Sequence, residues 1–133
     1  MKLLALAPLA LFAALSLPAA ANEEAIAKAK DAAQAWLALS DAGDGARTWQ
    51  SAAAIFKGAV TQETWQRSLA AVRGPLGAMK TRMLKSATFA KSLPGAPGGE
   101  YVVIQYATTF ANKADLTETV TPMKDKDGTW RVS

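Results

Sequence analysis

The hydrophobic pattern along this chain changes period once. From Glu23 to Arg73 apolar residues recur at three- and four-residue spacing, and from Ala78 onward they alternate. The first regime predicts helices, because a 3.6-residue turn gathers such positions on one face. Ala25, Ile26, Ala29, Ala33, Trp36, Leu37 and Ser40 form the stripe of a helix over Glu23–Ala42, capped by Asn22 and ended by Asp41-Ala42-Gly43-Asp44-Gly45. Asp44 is placed to cap a second helix, Ala46–Lys57, with Trp49, Ala52, Ala53 and Phe56 facing inward. Thr61 caps a third, Gln62–Arg73, with Trp65, Leu69 and Val72 inward, and Gly74-Pro75-Leu76-Gly77 stops it.

The second regime predicts strands. Ala78–Leu93 alternates but is interrupted at Lys85, as a bent or bulged strand would be. Glu100–Phe110 is apolar on both faces and rich in β-branched and aromatic residues, so it is read as the central strand. The wide turn Pro94–Gly99 joins these two as an antiparallel hairpin. A third strand follows over Leu116–Lys124, with Pro122 marking an edge or bulge, and a fourth over Thr129–Ser133. Helices first and strands afterwards imply an α+β fold: three N-terminal helices packed on a curved, cone-like, four-stranded antiparallel sheet.

Composition narrows the chemistry. The chain has no cysteine and no histidine. Disulfides, thiolate metal sites and the commonest general base are therefore excluded, and no cofactor or metal is expected. Residues 1–21 read as a cleaved export signal: Lys2, the apolar run Leu3–Leu17, and an A-x-A site at Ala19-Ala20-Ala21, with cleavage after Ala21. Residues 22–133 are then a single domain in a periplasm, with no further segment able to cross a bilayer. The net charge is +4, and no acidic residue lies between Thr64 and Gly99, an interval that holds Arg67, Arg73, Lys80, Arg82, Lys85 and Lys91. A solvated surface is the plain reading of these six; weak contact with an anionic surface is the sharper one. The expected export sets nucleic acid aside as a partner.

Several motifs carry a likeness. Asp41-Ala42-Gly43-Asp44 with Trp49, Ala52–Lys57, Arg73–Gly77, Ser92–Pro97, Gly99–Val103, Glu118–Met123 and Gly128–Ser133 resemble the bacterial "domain of unknown function 4019" family. The resemblance covers nearly all of the chain beyond the signal. It implies a small exported protein of a Gram-negative bacterium with no established activity, and a last strand longer than the one ending at Ser133. At the level of fold the order of elements is similar to the nuclear transport factor 2-like, or cystatin-like, cone, which hosts both enzymes and binding modules.

Such a cone often holds a pocket between sheet and helices. Four residues are candidates to line it: Glu118, Tyr106, Gln105 and Arg82. Glu118 shares a strand face with Leu116 and Val120, so an inward orientation places a carboxylate among apolar groups, as a general acid or base requires. The alternatives are a solvent position or a pair with a strand Arg or Lys. Arg82 shares its face with Leu84 and is either that partner, an anion ligand or a surface residue. Tyr106 and Gln105 lie on opposite faces of the central strand, so one pocket takes only one of them. Asp41 and Asp44 read as turn and cap residues, since their spacing lacks the alternation of a calcium loop. Trp36, Trp49, Trp65 and Trp130 read as core anchors. The leading expectation is a non-catalytic domain that binds a small ligand or an envelope protein; the alternative is a small isomerase or hydrolase using Glu118 with Tyr106 or Arg82.

Overall fold

The computed structural model describes residues 13–133. Residues 1–12, which hold most of the expected export signal, lie outside the described residues. The order is α1 (Ala13–Asp41), α2 (Gly45–Gln50), α3 (Ala54–Ala59), α4 (Gln62–Leu76), β1 (Met79–Ala90), β2 (Tyr101–Phe110), β3 (Lys113–Val120), β4 (Pro122–Lys124) and β5 (Trp130–Val132). The fold is thus α+β, with an open antiparallel sheet in which β2 lies between β1 and the β3–β4 ribbon, and β5 pairs with β4.

α1 lays its stripe across the sheet. Ala29 and Ala33 are completely buried, and small side chains there let the helix backbone approach Val102 and Ile104, which are also completely buried. Asn22 lies inside α1 and so does not cap it. The expected second helix is two helices. It breaks at Ser51–Ala53 because the N–H of Ala53 leaves the helical ladder to donate to the Val132 carbonyl of β5 at 2.8 Å. Ala52 and Ala53 carry the burial expected of them, but within this break. α4 runs past Gly74 and Pro75 to Leu76. A proline in the last turn forfeits one N–H, and the carbonyls left free where the helix ends are taken by Asn112: its side-chain amide donates to Pro75 O and its backbone N–H to Leu76 O. Gly77 ends the helix at a φ of +76°, the left-handed conformation that favours glycine.

The registers explain the faces. Tyr106 sits opposite Leu84 on one side and Glu118 on the other; Thr108 sits opposite Arg82 and Leu116. Directly opposed residues share a face, and Val102, Ile104, Tyr106, Thr108 and Phe110 are all buried, so the even-numbered face of β2 points to the helices. The odd face from Val103 to Thr109 is half-buried or exposed, so the central strand is not covered on both sides as its composition suggests. The interruption at Lys85 is a register shift between Leu84 and Ser86, which moves the inward set from Arg82 and Leu84 to Ala87 and Phe89.

β3 and β4 keep one register against β2: Ile104 opposes Val120, and Tyr101 opposes Met123. They form a single strand nicked at Pro122. Lys124 N–H donates inward to Glu100 O. Two residues earlier the same direction falls to Pro122, which has no N–H to give.

Four aromatic residues fasten the helical layer. Trp36 Nε1 donates to Thr48 O at 2.9 Å, Trp49 Nε1 to Val60 O at 2.7 Å, and Trp65 Nε1 to Thr48 Oγ1 at 2.8 Å. Phe56 meets Trp65 edge-on at 4.9 Å between ring centroids. Trp130 belongs to the core beneath α1.

Candidate functional site

The polar centre of the molecule lies between the C-terminal end of α1, the last turns of α4 and the inner face of the sheet. Arg82 of β1 is its hub. Its Nε donates to Glu118 Oε1 at 2.7 Å and its Nη2 to Glu118 Oε2 at 3.2 Å. On the other side Nη1 donates to Asp41 Oδ2 at 2.8 Å and Nη2 to Asp41 Oδ1 at 3.0 Å. One planar guanidinium therefore grips two carboxylates, each by two N–H groups, a geometry that lysine cannot provide. Asp41 Oδ1 also accepts from Arg73 Nη2 at 2.8 Å, and Arg73 Nη1 donates to Ser40 Oγ at 2.9 Å. The Arg73 guanidinium lies 4.8 Å from the centre of the Phe110 ring, within cation–π range. Thr108 completes the cluster by donating its hydroxyl to Glu118 Oε1 at 2.5 Å.

Local structure places each member. Arg82 precedes the bulge and so faces inward with Leu84. Glu118 faces inward because it opposes Tyr106. Arg73 lies two turns beyond Trp65 and one beyond Leu69, on the buried line of α4. Val72, expected there, is instead 62% exposed. Asp41 is the last residue of α1 and bridges two arginines rather than serving the turn, while Asp44 caps α2 as expected, accepting from Arg47 N at 3.0 Å. Thr61 likewise caps α4 through Thr64 N.

The electrostatics follow from this arrangement. Two arginines and two carboxylates sum to zero charge. Burial alone would raise the Asp41 carboxyl, but hydrogen bonds from Arg82 and Arg73 and their charges outweigh it and hold the group below its ordinary range. Burial would lower the Arg82 pKa, yet its two carboxylate partners raise it, so it stays charged. Tyr106 is pushed up chiefly by burial, with Glu118 adding to the rise and Arg82 opposing it. Its hydroxyl is buried beside this cluster and, like Nε of Arg73, has no hydrogen-bond partner among the described residues.

The four sequence candidates thus separate. Arg82 and Glu118 come together as an ion pair, and Tyr106 joins their face. Gln105 points to the outer face and takes no part. Of the six basic residues, Arg73 and Arg82 turn into the cluster, while Arg67, Lys80, Lys85 and Lys91 are exposed, with Arg67 reaching Glu63 at 3.6 Å and Lys85 reaching Thr117 Oγ1 at 3.4 Å. Ser40, Asp41, Arg73 and Thr108 were not legible as partners. The usable signal for Arg73 was its four-residue spacing from Leu69.

Beside the cluster opens a cleft of about 420 Å³ between α1 and α4, lined by Ser40, Asp41, Gln66, Leu69, Arg73 and small residues that include Ala70 and Gly74. Glu118, Tyr106, Gln105 and Arg82 are not among its lining residues. Among the described residues no group of acidic side chains is arranged to hold a metal ion, and no helix is long and apolar enough to cross a membrane.

No curated protein and no solved structure matches this chain, so the likeness to the nuclear transport factor 2-like cone is not confirmed. A family model does match, described as "Protein of unknown function (DUF4019)", over residues 32–133. That span holds α2 to α4, the whole sheet, and every residue of the Arg82 cluster. The chain belongs to the DUF4019 family.

Proposed function

We propose that this chain is an exported, non-catalytic domain that binds a small ligand in the cleft between α1 and α4. The observation that carries this reading is the closed, neutral cluster around Arg82. It fills the space between helices and sheet with charges paired to one another, and it leaves the cleft beside it open. Both Glu118 oxygens are already engaged by Arg82, and Oε1 by Thr108 as well, which tells against the alternative of Glu118 catalysing with Tyr106 or Arg82. The cleft lining combines apolar Leu69 with polar Gln66, Asp41 and Arg73, the mixture by which pockets orient small molecules.

Screening a broad metabolite library by amide chemical shifts is the test. A binder is expected to perturb Ser40–Gly43 and Gln66–Gly74 and to be lost on Ala70→Trp, which fills the cleft. Finding no binder, or one that perturbs the sheet alone, refutes the cleft; an envelope protein that shifts the same residues makes the ligand a protein segment. The export part of the proposal rests on Lys2, Leu3–Leu17 and Ala19-Ala20-Ala21. The mature chain recovered from an envelope fraction is expected to begin at Asn22, and a chain that keeps Met1 removes that part.

A further inference from the structure

β1 is the long outer strand of the sheet, paired among the described residues with β2 on one side only. Open edges invite pairing, and proteins guard them with bulges and lysines. β1 carries both guards: its register shifts occur at Lys80 and Lys85. Between them Thr81, Arg82, Met83 and Leu84 keep an unbroken ladder with Thr109, Thr108, Ala107 and Tyr106. This unguarded stretch also exposes two large apolar side chains, Met83 at 69% and Leu84 at 47%. They lie on opposite faces, since Met83 opposes the exposed Ala107 and Leu84 opposes the buried Tyr106. The Lys85 ammonium is drawn over the sheet to Thr117 Oγ1 and away from the edge.

We propose that Thr81–Lys85 of β1 pairs antiparallel with the same stretch of a second copy, joining two sheets into one across a two-fold axis. Self-complementarity argues for a copy over another partner. An axis at Met83 sets Met83 directly against its counterpart on the outer face. On the inner face it puts Leu84 opposite the partner's Arg82 and diagonal to the partner's Leu84, within reach of a long side chain. The same axis sets Lys80 against Ser86 and Lys85 against Thr81, so no two lysines oppose each other, and the Arg82 charge is already neutralised by Asp41 and Glu118. Exposed apolar side chains on both faces of one edge strand are covered together only by a strand laid beside it.

Sedimentation velocity of the full chain over a dilution series tests this pairing. The expected result is a reversible monomer–dimer equilibrium. Met83→Lys with Leu84→Lys should weaken it by ~10-fold or more, a difference of about 1.4 kcal/mol, while Met83→Leu keeps it. Circular dichroism should show both variants folded, because the substituted side chains are exposed. A wild-type chain that stays monomeric throughout the series overturns the proposal. A dimer that survives the double lysine variant overturns it as well, and assigns association to another surface. If the double variant fails to fold, Met83→Lys alone is read in its place under the same criteria.

Discussion

Replacing Arg82 by methionine keeps the length of the side chain and removes its charge. The change strands two carboxylates at once. Glu118 loses both Arg82 contacts and keeps the Thr108 hydroxyl; Asp41 loses two and keeps Arg73. Removing one member of a buried pair costs about 3–5 kcal/mol when the remaining charge is sealed from water. Here the carboxylate side chains retain 20% and 19% exposure, so water can reach them in part. The cost at neutral pH is therefore set at about 2–4 kcal/mol, equivalent to roughly 10 °C in Tm for a domain of this size. The pH dependence adds a sharper signature. In the wild type the folded Asp41 carboxyl lies below its ordinary value, so its stabilising contribution is present above about pH 4 and is lost as the pH falls further. The variant lacks the Arg82 share of that contribution at every pH, so its deficit relative to wild type should shrink in acid. Urea unfolding of both proteins at pH 7 and near pH 3.5 measures this. A deficit under about 0.5 kcal/mol at pH 7, the size of an ordinary surface substitution, or a deficit that does not change with pH, refutes the account of Arg82 as hub.

Three further substitutions probe separate features. Thr48→Val keeps the volume of a completely buried residue but strips the hydroxyl that accepts from Trp65 Nε1 and donates to Gly45 O; denaturant unfolding followed by tryptophan fluorescence should show a loss of about 1–3 kcal/mol. Gly77→Ala introduces a Cβ 3.0 Å from Asn112 Nδ2 and 3.2 Å from Ala111 Cβ at a φ of +76°, so a thermal melt should report a loss of about 1–2 kcal/mol; a neutral result means the α4 terminus is not held by Asn112. Tyr106→Phe removes a buried hydroxyl that has no partner among the described residues, and its stability should stay within about 0.5 kcal/mol of wild type or rise; a large loss would show that this hydroxyl is engaged in solution.

The division into helices followed by strands was readable because hydrophobic period is a local property. The inward turn of Glu118 was readable only conditionally, through its shared face with Leu116 and Val120. What stayed hidden depends on contacts distant in sequence. The break at Ser51–Ala53 is dictated by Val132, since nothing within Ala46–Lys57 requires a helix to stop there. α4 runs past Pro75 to an end whose free carbonyls, Pro75 O and Leu76 O, are capped by Asn112, far along the chain. Asp41 looked like a turn residue because aspartate after a helix commonly is one, and its two arginines lie 32 and 41 positions away. Two members of the basic interval, Arg73 and Arg82, turned inward for the same reason: their partner Asp41 is distant along the chain.

Those separations bear on the order of folding. The contacts of the Arg82 cluster span 32, 36 and 41 residues and join α1, α4, β1 and β3. The β1–β2 hairpin and the α2–α4 contacts close over shorter distances and can form with only part of the chain in place. Arg82 cannot satisfy both carboxylates until α1, α4 and β3 have all converged, and an early burial of any one charge would be opposed by its own desolvation. The cluster should therefore assemble after the rate-limiting step, so that its loss speeds unfolding while leaving refolding nearly unchanged. On this view Arg82 acts as a late check on assembly: it determines how long the finished molecule lasts and has little influence on how quickly it forms.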